Sequence, residues 1–449
     1  MEPTNQEPKI VVIDDDPTGS QTVHSCLLLM QWDVETIRDA LLDEAPLFFL
    51  LTNSRGMDEE SAQNVNREVA RNLRAAAERV GEPPLLVVSR SDSTLRGHFP
   101  AETDVLTEEL GPFDVTFMVP AFFEAGRVTI EGVHYIRSEE GLLRTDQTPF
   151  AKDSLFGYSS SYLPKYVEEK SGGRVSAREV LVLPRDVSLE ELVARIDALP
   201  RGCYCAVDAE QQRDLDRFAD AVRRLASKGR RYLFRSAASL LTSLSDLPPQ
   251  PISAGEFSSL AHGTLPGVVI CGSHVPLTTE QLESLLGAEY ARGVEVEVDR
   301  AAREPLFYLE EIWENVSSTL EAGLVPVVYT SRDERSFDSA AERIAFGEQI
   351  SEFLVSIVRR LPEHIRFLIA KGGITSHEVL ARGLELRTAR VLGQIAPGVT
   401  VLLPPAASRL AGVPTVIFPG NVGPRDGLKN VTESLLGIKN RSRGSGGTG

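Results

Sequence analysis

Cysteine is scarce: Cys26, Cys203, Cys205 and Cys271 are all that 449 residues contain, and no CxxC pair is among them. That excludes a disulfide framework. Cys203 and Cys205 lie one residue apart in an apolar run and read as core, not as metal ligands. Reduced thiols and a cytoplasmic location are expected. A basic surplus is also missing. Lys and Arg total 47 against 64 Asp and Glu, a net charge of -17, so nothing neutralises a nucleic-acid backbone, although a local basic pocket for a small anion is compatible. No apolar run approaches the roughly 20 residues that span a bilayer, and the opening Met1 to Glu7 is polar and acidic, unlike a signal peptide. Catalytic signatures are absent too. Without GxxxxGK[ST] or GxGxxG, a P-loop NTPase, a classical protein kinase and a Rossmann dehydrogenase lack motif support. Without GxSxG, Ser91 and Ser93 are not hydrolase nucleophiles. His24, His134, His262 and His274 stand singly, with no HExxH spacing, and read as packing or surface residues.

What is present is an ordinary globular composition, 42% hydrophobic and 25% charged, in a chain long enough for more than one domain. Its most informative stretch is Ser89-Arg90-Ser91-Asp92-Ser93-Thr94-Leu95-Arg96-Gly97-His98, which follows the apolar run Leu85-Leu86-Val87-Val88. A short buried strand running into arginines, an aspartate and hydroxyls puts polar groups at the carboxyl edge of a sheet, where open α/β sheets bind ligands. Arginine pairs with carboxylate or phosphate, and aspartate accepts from hydroxyls or serves as base. The bland alternative is a polar loop with Ser93 or Thr94 capping the next helix.

The same pattern recurs along the first half. Lys9-Ile10-Val11-Val12-Ile13 leads into Asp14-Asp15-Asp16-Pro17-Thr18-Gly19, three adjacent carboxylates that need cations or donors. Residues 46–51 lead into Thr52-Asn53-Ser54-Arg55-Gly56, followed by a helix over 58–80. Residues 113–119 lead into Pro120-Ala121-Phe122-Phe123-Glu124-Ala125-Gly126-Arg127. The reading is an α/β fold of two domains, each a mostly parallel sheet flanked by helices. Asp15, Asp16, Arg55, Arg90, Asp92, Arg96 and Arg127 then gather along one edge. Residues 132–162 lack periodicity and read as a loop or hairpin over the site.

A Pro-rich stretch marks a boundary: a first domain over 1–250, a linker over 251–266, a second domain over 267–440 and a disordered tail over 441–449. In the second half, strand runs lead into Gly272-Ser273-His274, into Lys371-Gly372-Gly373-Ile374-Thr375-Ser376 and into Pro419-Gly420-Asn421-Val422-Gly423. Glycine loops between a strand and a helix let backbone N–H groups approach an anion, which points to nucleotide phosphates. Thr278 with Gln281 has the spacing of a capping box.

These blocks together resemble the four-carbon acid sugar kinase family over about residues 10–436. The resemblance rests on Asp15-Asp16-Pro17-Thr18-Gly19, Ser54-Arg55, Asp92-Ser93-Thr94-Leu95-Arg96-Gly97-His98, Pro120 to Arg127, Gly272-Ser273 with Thr278 and Gln281, Gly372 to Ser376, and Gly420 to Gly423. It implies an N-terminal domain binding a small sugar acid and a C-terminal domain binding ATP with Mg²⁺, the γ-phosphoryl passing to a substrate hydroxyl. By that resemblance Asp15, Arg55 and Arg90, Ser91, Asp92 and Ser93 hold the acid. Ser273, Gly372, Gly373, Ile374, Thr375, Gly420, Asn421 and Gly423 hold ATP. Asp92 or Asp16 is the expected base, and Arg96 or Lys371 the cation at the transferring group. The partners expected are the acid and, as an open question, a second copy of the chain, with neither nucleic acid nor membrane. Thr22, Ile374, Phe418-Pro419 and His98 depart from the family pattern. The second reading is therefore a sugar-acid-binding or regulatory protein that has lost phosphotransfer, and a weaker third is a metal-dependent hydrolase using Asp14-Asp15-Asp16.

Overall fold

The computed structural model describes residues 7–332, 335, 337 and 339–438; the tail expected to be disordered lies outside them. The chain divides into two compact units, Met1–Pro249 and Gln250–Gly449.

The first unit is built on strands β1 (Lys9–Asp14), β2 (Cys26–Leu29), β3 (Leu47–Leu51), β4 (Leu85–Arg90), β5 (Val115–Val119), β9 (Leu181–Leu183), β10 (Cys203–Val207) and β11 (Tyr232–Ser236). They lie in the order β2-β3-β1-β4-β11-β5-β10-β9, and every neighbouring pair is parallel. Parallel strands are covered on both faces, so their sequences are apolar almost throughout instead of alternating. On one face Val11, Ile13, Phe48, Leu50, Val87 and Leu233 pack against Ile37 and Leu41, Val69 and Leu73, and Leu106 of three helices. On the other, Phe117 and Phe234 meet Phe218 of the helix Gln212–Ala226. Helix starts follow local chemistry: Asp33, Asp58 and Ser188 each accept a backbone N–H from the first turn of the helix they precede. A separate antiparallel sheet, β6 (Arg127–Ile130), β7 (Val133–Ser138) and β8 (Gly141–Arg144), fills the segment read as a loop or hairpin.

The second unit repeats the opening of the first. Its strands β12 (Val268–Cys271), β13 (Ala291–Val296), β14 (Val325–Thr330), β15 (Leu368–Lys371), β16 (Thr388–Ala396), β17 (Val399–Leu403) and β18 (Thr415–Phe418) run in the order β13-β14-β12-β15-β18-β17-β16. The first five are parallel, β17 runs against them, and β16, antiparallel to β17, runs with them again. The segment read as a linker packs onto this unit, with Phe257 fully buried in its core. In both units the chain lays two strands on one side of the first strand and then crosses to the other. The crossings leave a crevice between β1 and β4 and another between β12 and β15, and ligands bind in such crevices outside the carboxyl ends of the strands.

The capping box is corrected. The helix Pro276–Leu286 begins with its proline in the first turn, and no side chain caps it. Thr278 and Gln281 are fully buried inside the helix and hold a neighbouring loop instead.

Candidate functional site

Around the β1/β4 crevice the polar residues form one connected cluster. Asp14 ends β1 opposite Arg90 at the end of β4. Both side chains are buried, and Arg90 Nη1 lies 3.5 Å from Asp14 Oδ1. Asp14 Oδ2 and Arg90 Nε have no hydrogen-bond partner among the described residues. Burial pushes the Asp14 carboxyl up to about 8, against the pull of Arg90 and with the help of Asp15 and Asp16. This pair forms the floor of the site. Above it, Arg55 donates from Nη2 and Nε to the two oxygens of Asp15, the latter at 3.2 Å, and from Nη1 to Asp16 Oδ2 at 3.0 Å. Asp16 also accepts from the backbone and hydroxyl of Thr18, at 2.8 and 2.5 Å. Burial raises the Asp16 carboxyl, but Arg55 and Thr18 outweigh it and leave it below the usual range.

Ser91 joins this cluster to a second buried pair. Its hydroxyl lies 2.6 Å from Asp15 Oδ2, and Arg235 Nη2 donates to it at 2.9 Å. Arg235 Nη1 donates to Glu102 Oε2 at 2.6 Å and to Ser89 Oγ at 2.8 Å, and Ser54 Oγ donates to Glu102 Oε1 at 2.5 Å. Gly97, at φ +130°, faces this junction: a side chain there would collide with Ser91 Oγ and the Arg235 guanidinium. Arg235 and Glu102 were missed in the sequence. The signal was available at Arg235, which with Ser236 ends β11 in the same apolar-then-polar manner as Ser89 and Arg90 end β4.

Asp92 accepts from Arg96 Nε at 2.8 Å and from the Thr94 hydroxyl. Burial opposes its ionisation, but Arg55 and Arg96 overcome that and hold the carboxyl down to about 2. Arg96 also lies over the Phe150 ring at 4.9 Å. Ser93 contributes its carbonyl, which meets His134 Nε2 at 2.8 Å. Arg127 differs from the other arginines: Nη1 donates to the Ala125 carbonyl, the buried Nε has no partner, and no carboxylate among the described residues pairs with it. His98 reaches the Met57 carbonyl at 3.0 Å and so braces the turn that carries Arg55. The structure thus gathers Asp15, Asp16, Arg55, Ser91, Asp92 and Arg96, and sets Arg90 beneath them.

At the β12/β15 crevice three loops converge on Ser273. A methyl on Gly420 would stand 2.8 Å from Ser273 Oγ, and one on Gly372, at φ +114°, 3.0 Å from Ser273 Cβ. Thr278 Oγ1 donates to the Gly420 carbonyl at 3.1 Å, and Gln281 Nε2 to the carbonyls of Val422 and Pro424, each at 2.9 Å. Arg332 donates to the Ser273 carbonyl at 2.5 Å. Lys371 is fully buried. Its ammonium lies 2.5 Å from the Pro419 carbonyl, 3.2 Å from that of Gly420 and 4.3 Å from the Phe418 ring centroid. Burial pushes it down to about 7. It therefore braces the last glycine loop from below. Gly373, Thr375, Asn421 and Gly423 border the same convergence, and Ile374 projects from it, 63% exposed.

Backbone loops that side chains would fill suit a polyphosphate, since N–H groups can then come within hydrogen-bond reach. Among the described residues no three His, Cys, Asp or Glu side chains are grouped so as to hold a metal ion. Asp14, Asp15 and Asp16 are turned instead to Arg90 and Arg55. No helix among the described residues is long and apolar enough to cross a membrane.

Comparison with known proteins agrees with this division. Residues 10–244 match a sugar-binding N-terminal domain and residues 268–428 a nucleotide-binding C-terminal domain. The chain is 28% identical over 220 residues to a D-erythronate kinase of Heliobacterium modesticaldum, covering 47% of each protein. It is 25% identical over 329 residues to a 3-oxo-tetronate kinase of Actinobacillus succinogenes, covering 69% of this chain and 72% of that one. The match thus spans about half the length of the first relative. The fold matches a crystal structure of a Haemophilus influenzae protein of family DUF1537, with a TM-score of 0.62 at 19% identity, covering 95% of this chain and 100% of that one. With the two domain families matched in this order along most of its length, the chain belongs to the four-carbon acid sugar kinase family.

Proposed function

We propose that the chain transfers the γ-phosphoryl group of ATP to a hydroxyl of a small sugar acid. The observation that carries this reading is the pairing of site types: a carboxylate–guanidinium–hydroxyl cluster at the crevice of the first unit, and glycine loops around Ser273 at the equivalent crevice of the second.

The substrate's carboxylate is met by Arg127, which makes no ion pair among the described residues, together with Arg55 and Arg90. Asp15 and Asp16 accept from its hydroxyls. As the attacking oxygen bonds to phosphorus, the bond to the ADP oxygen breaks and the hydroxyl proton passes to Asp92. A carboxylate held near 2 is a weak base. It suffices where proton loss comes late, as in a loose phosphoryl-transfer transition state. Arg96, already beside Asp92, neutralises the transferring group. Ser273, Gly372 to Thr375 and Gly420 to Gly423 cradle the triphosphate. Mg²⁺ bound together with ATP would supply further charge neutralisation there.

The test is ATP consumption with Mg²⁺ across four- and five-carbon sugar acids, with the product identified by mass. One phosphorylated acid establishes the reaction and fixes the substrate, and Asp92→Asn then removes turnover while ATP still binds. The competing reading, a binding protein without phosphotransfer, is favoured by the exposed Ile374 at the glycine loop and by a Lys371 engaged with backbone carbonyls. Tight acid binding with no measurable ATP binding would decide for it.

A further inference from the structure

The loop that carries Asp92 and Arg96 is held partly by its own hydrogen bonds and partly from outside. Leu95 sits at φ +69° and Gly97 at φ +130°, and a left-handed backbone is uncommon for leucine. Within the loop, Asp92 and Arg96 hold each other, but three successive carbonyls, of Ser93, Thr94 and Leu95, point away from that pair. Each is met by a side chain from residues 134–166. His134 Nε2 lies 2.8 Å from the Ser93 carbonyl, Tyr158 Oη donates to the Thr94 carbonyl at 2.8 Å, and Tyr166 Oη to the Leu95 carbonyl at 2.8 Å.

We propose that His134, Tyr158 and Tyr166 are positioning residues, a three-point clamp that fixes the backbone of Ser93 to Leu95 and so aims Asp92 and Arg96 at the acceptor hydroxyl. Four features support it. All three side chains are buried, His134 completely. The Ser93 carbonyl can only accept, so His134 carries its proton on Nε2, and Nδ1, 3.0 Å from Thr129 Oγ1, accepts from that hydroxyl. Burial holds His134 down to about 4, which keeps this neutral form in place at physiological pH. The two tyrosine rings meet edge to face at 5.6 Å, and Tyr166 stacks on Phe99 at 5.5 Å, so the donors are themselves fixed. The clamp residues come from β7, from the segment before the helix Leu163–Lys170 and from that helix. A segment read from sequence as a cover over the site is therefore tied into the geometry of the loop.

The clamp's role in turnover rests on the kinase reading, and its mechanical part is measurable without it. Tyr158→Phe and Tyr166→Phe, singly and together in the full chain, remove one oxygen each and keep the packed rings. The first readout is amide hydrogen exchange of residues 92–98 against that of β1 and β4. In the double variant, exchange of the loop rises by about tenfold or more, the expected consequence of leaving buried carbonyls without donors, while the strands stay protected. The second readout is the split of kinetic constants: kcat falls by about tenfold and the KM for ATP does not move. Unchanged loop exchange in a double variant that retains its thermal transition overturns the clamp. So does a loss of kcat matched by an equal rise in the KM for ATP, or by faster exchange throughout the unit. If the unaltered chain phosphorylates no acid, the kinase reading fails on that result, and loop exchange alone decides the clamp.

Discussion

Replacing Glu102 by Gln tests how the second buried pair of the first site is held together. Glu102 and Arg235 form an ion pair at 2.6 Å with side chains 3% and 7% exposed. The substitution keeps volume and removes one charge. The amide oxygen can still accept from Arg235 Nη1, and the amide nitrogen can face Ser54, whose hydroxyl then turns to Thr52 Oγ1, 3.1 Å away. The hydrogen bonds are thus recoverable, and what is lost is the counter-charge of a buried guanidinium. Breaking such a pair destabilises by roughly 3–5 kcal/mol, and the lower end applies here because the bonds re-form. With a urea dependence of about 3 kcal/mol per molar, the unfolding midpoint of the first unit should fall by about 1 M. The chain has two tryptophans, Trp32 in the first unit and Trp313 in the second. In a Trp313→Phe background, fluorescence therefore reports the first unit alone. The paired change Glu102→Leu with Arg235→Met should recover most of that midpoint, since an apolar pair of similar volume avoids the desolvation of two charges. It should still raise the KM for the acid, because Ser91 loses its donor. A Glu102→Gln midpoint within about 0.2 M of the parent would refute the argument, since the guanidinium would then be compensated by something other than Glu102.

Other expectations follow from the same geometry. Burial raises Asp14 from 3.8 to about 8, so between those values the folded chain binds a proton that the unfolded chain has lost. Stability from this group is therefore lost as pH rises through that window, and Asp14→Asn should flatten the decline of urea midpoints between pH 5 and 8; an unchanged slope would exonerate Asp14. Arg127→Met should raise the KM for the acid by about tenfold or more, with the KM for ATP unmoved, as expected on losing a charge-assisted contact. Lys371→Met takes away the donor for the carbonyls of Pro419 and Gly420. It should raise the KM for ATP by roughly tenfold and leave the acid unaffected, and the reverse pattern would place Lys371 outside the nucleotide site.

The elements legible in the sequence were those whose signal is local. Apolar runs entering polar loops mark β1, β3, β4 and β5, because a strand covered on both faces has no alternation to blur. The same signal singled out Asp15, Arg55 and Ser91, which the structure brings together, and the glycine loops of the second half. What was not legible depends on partners far apart in the chain. Glu102 reads as an ordinary acidic residue in the first turn of a helix, and its pairing with Arg235 appears only once β4 and β11 lie side by side. His134, alone in its stretch, reads as packing until the Ser93 carbonyl is brought to it. Thr278 and Gln281 have capping-box spacing, but Pro276 had already begun the helix, leaving both side chains to hold the loop after β18.

One arginine of the first crevice arrives already engaged: Arg55 is shared between Asp15 and Asp16. A ligand bringing only a carboxylate would compete with those aspartates and strand one of them without a donor. A polyol bringing only hydroxyls could satisfy the aspartates but would give the guanidinium nothing better than it has. A hydroxy acid offers both halves of the exchange, its carboxylate to the arginine and its hydroxyls to the aspartate set free. Selectivity of this kind needs no tightly shaped cavity. At Arg55, simple carboxylates and neutral sugars would each be disfavoured by the half of the trade they cannot complete.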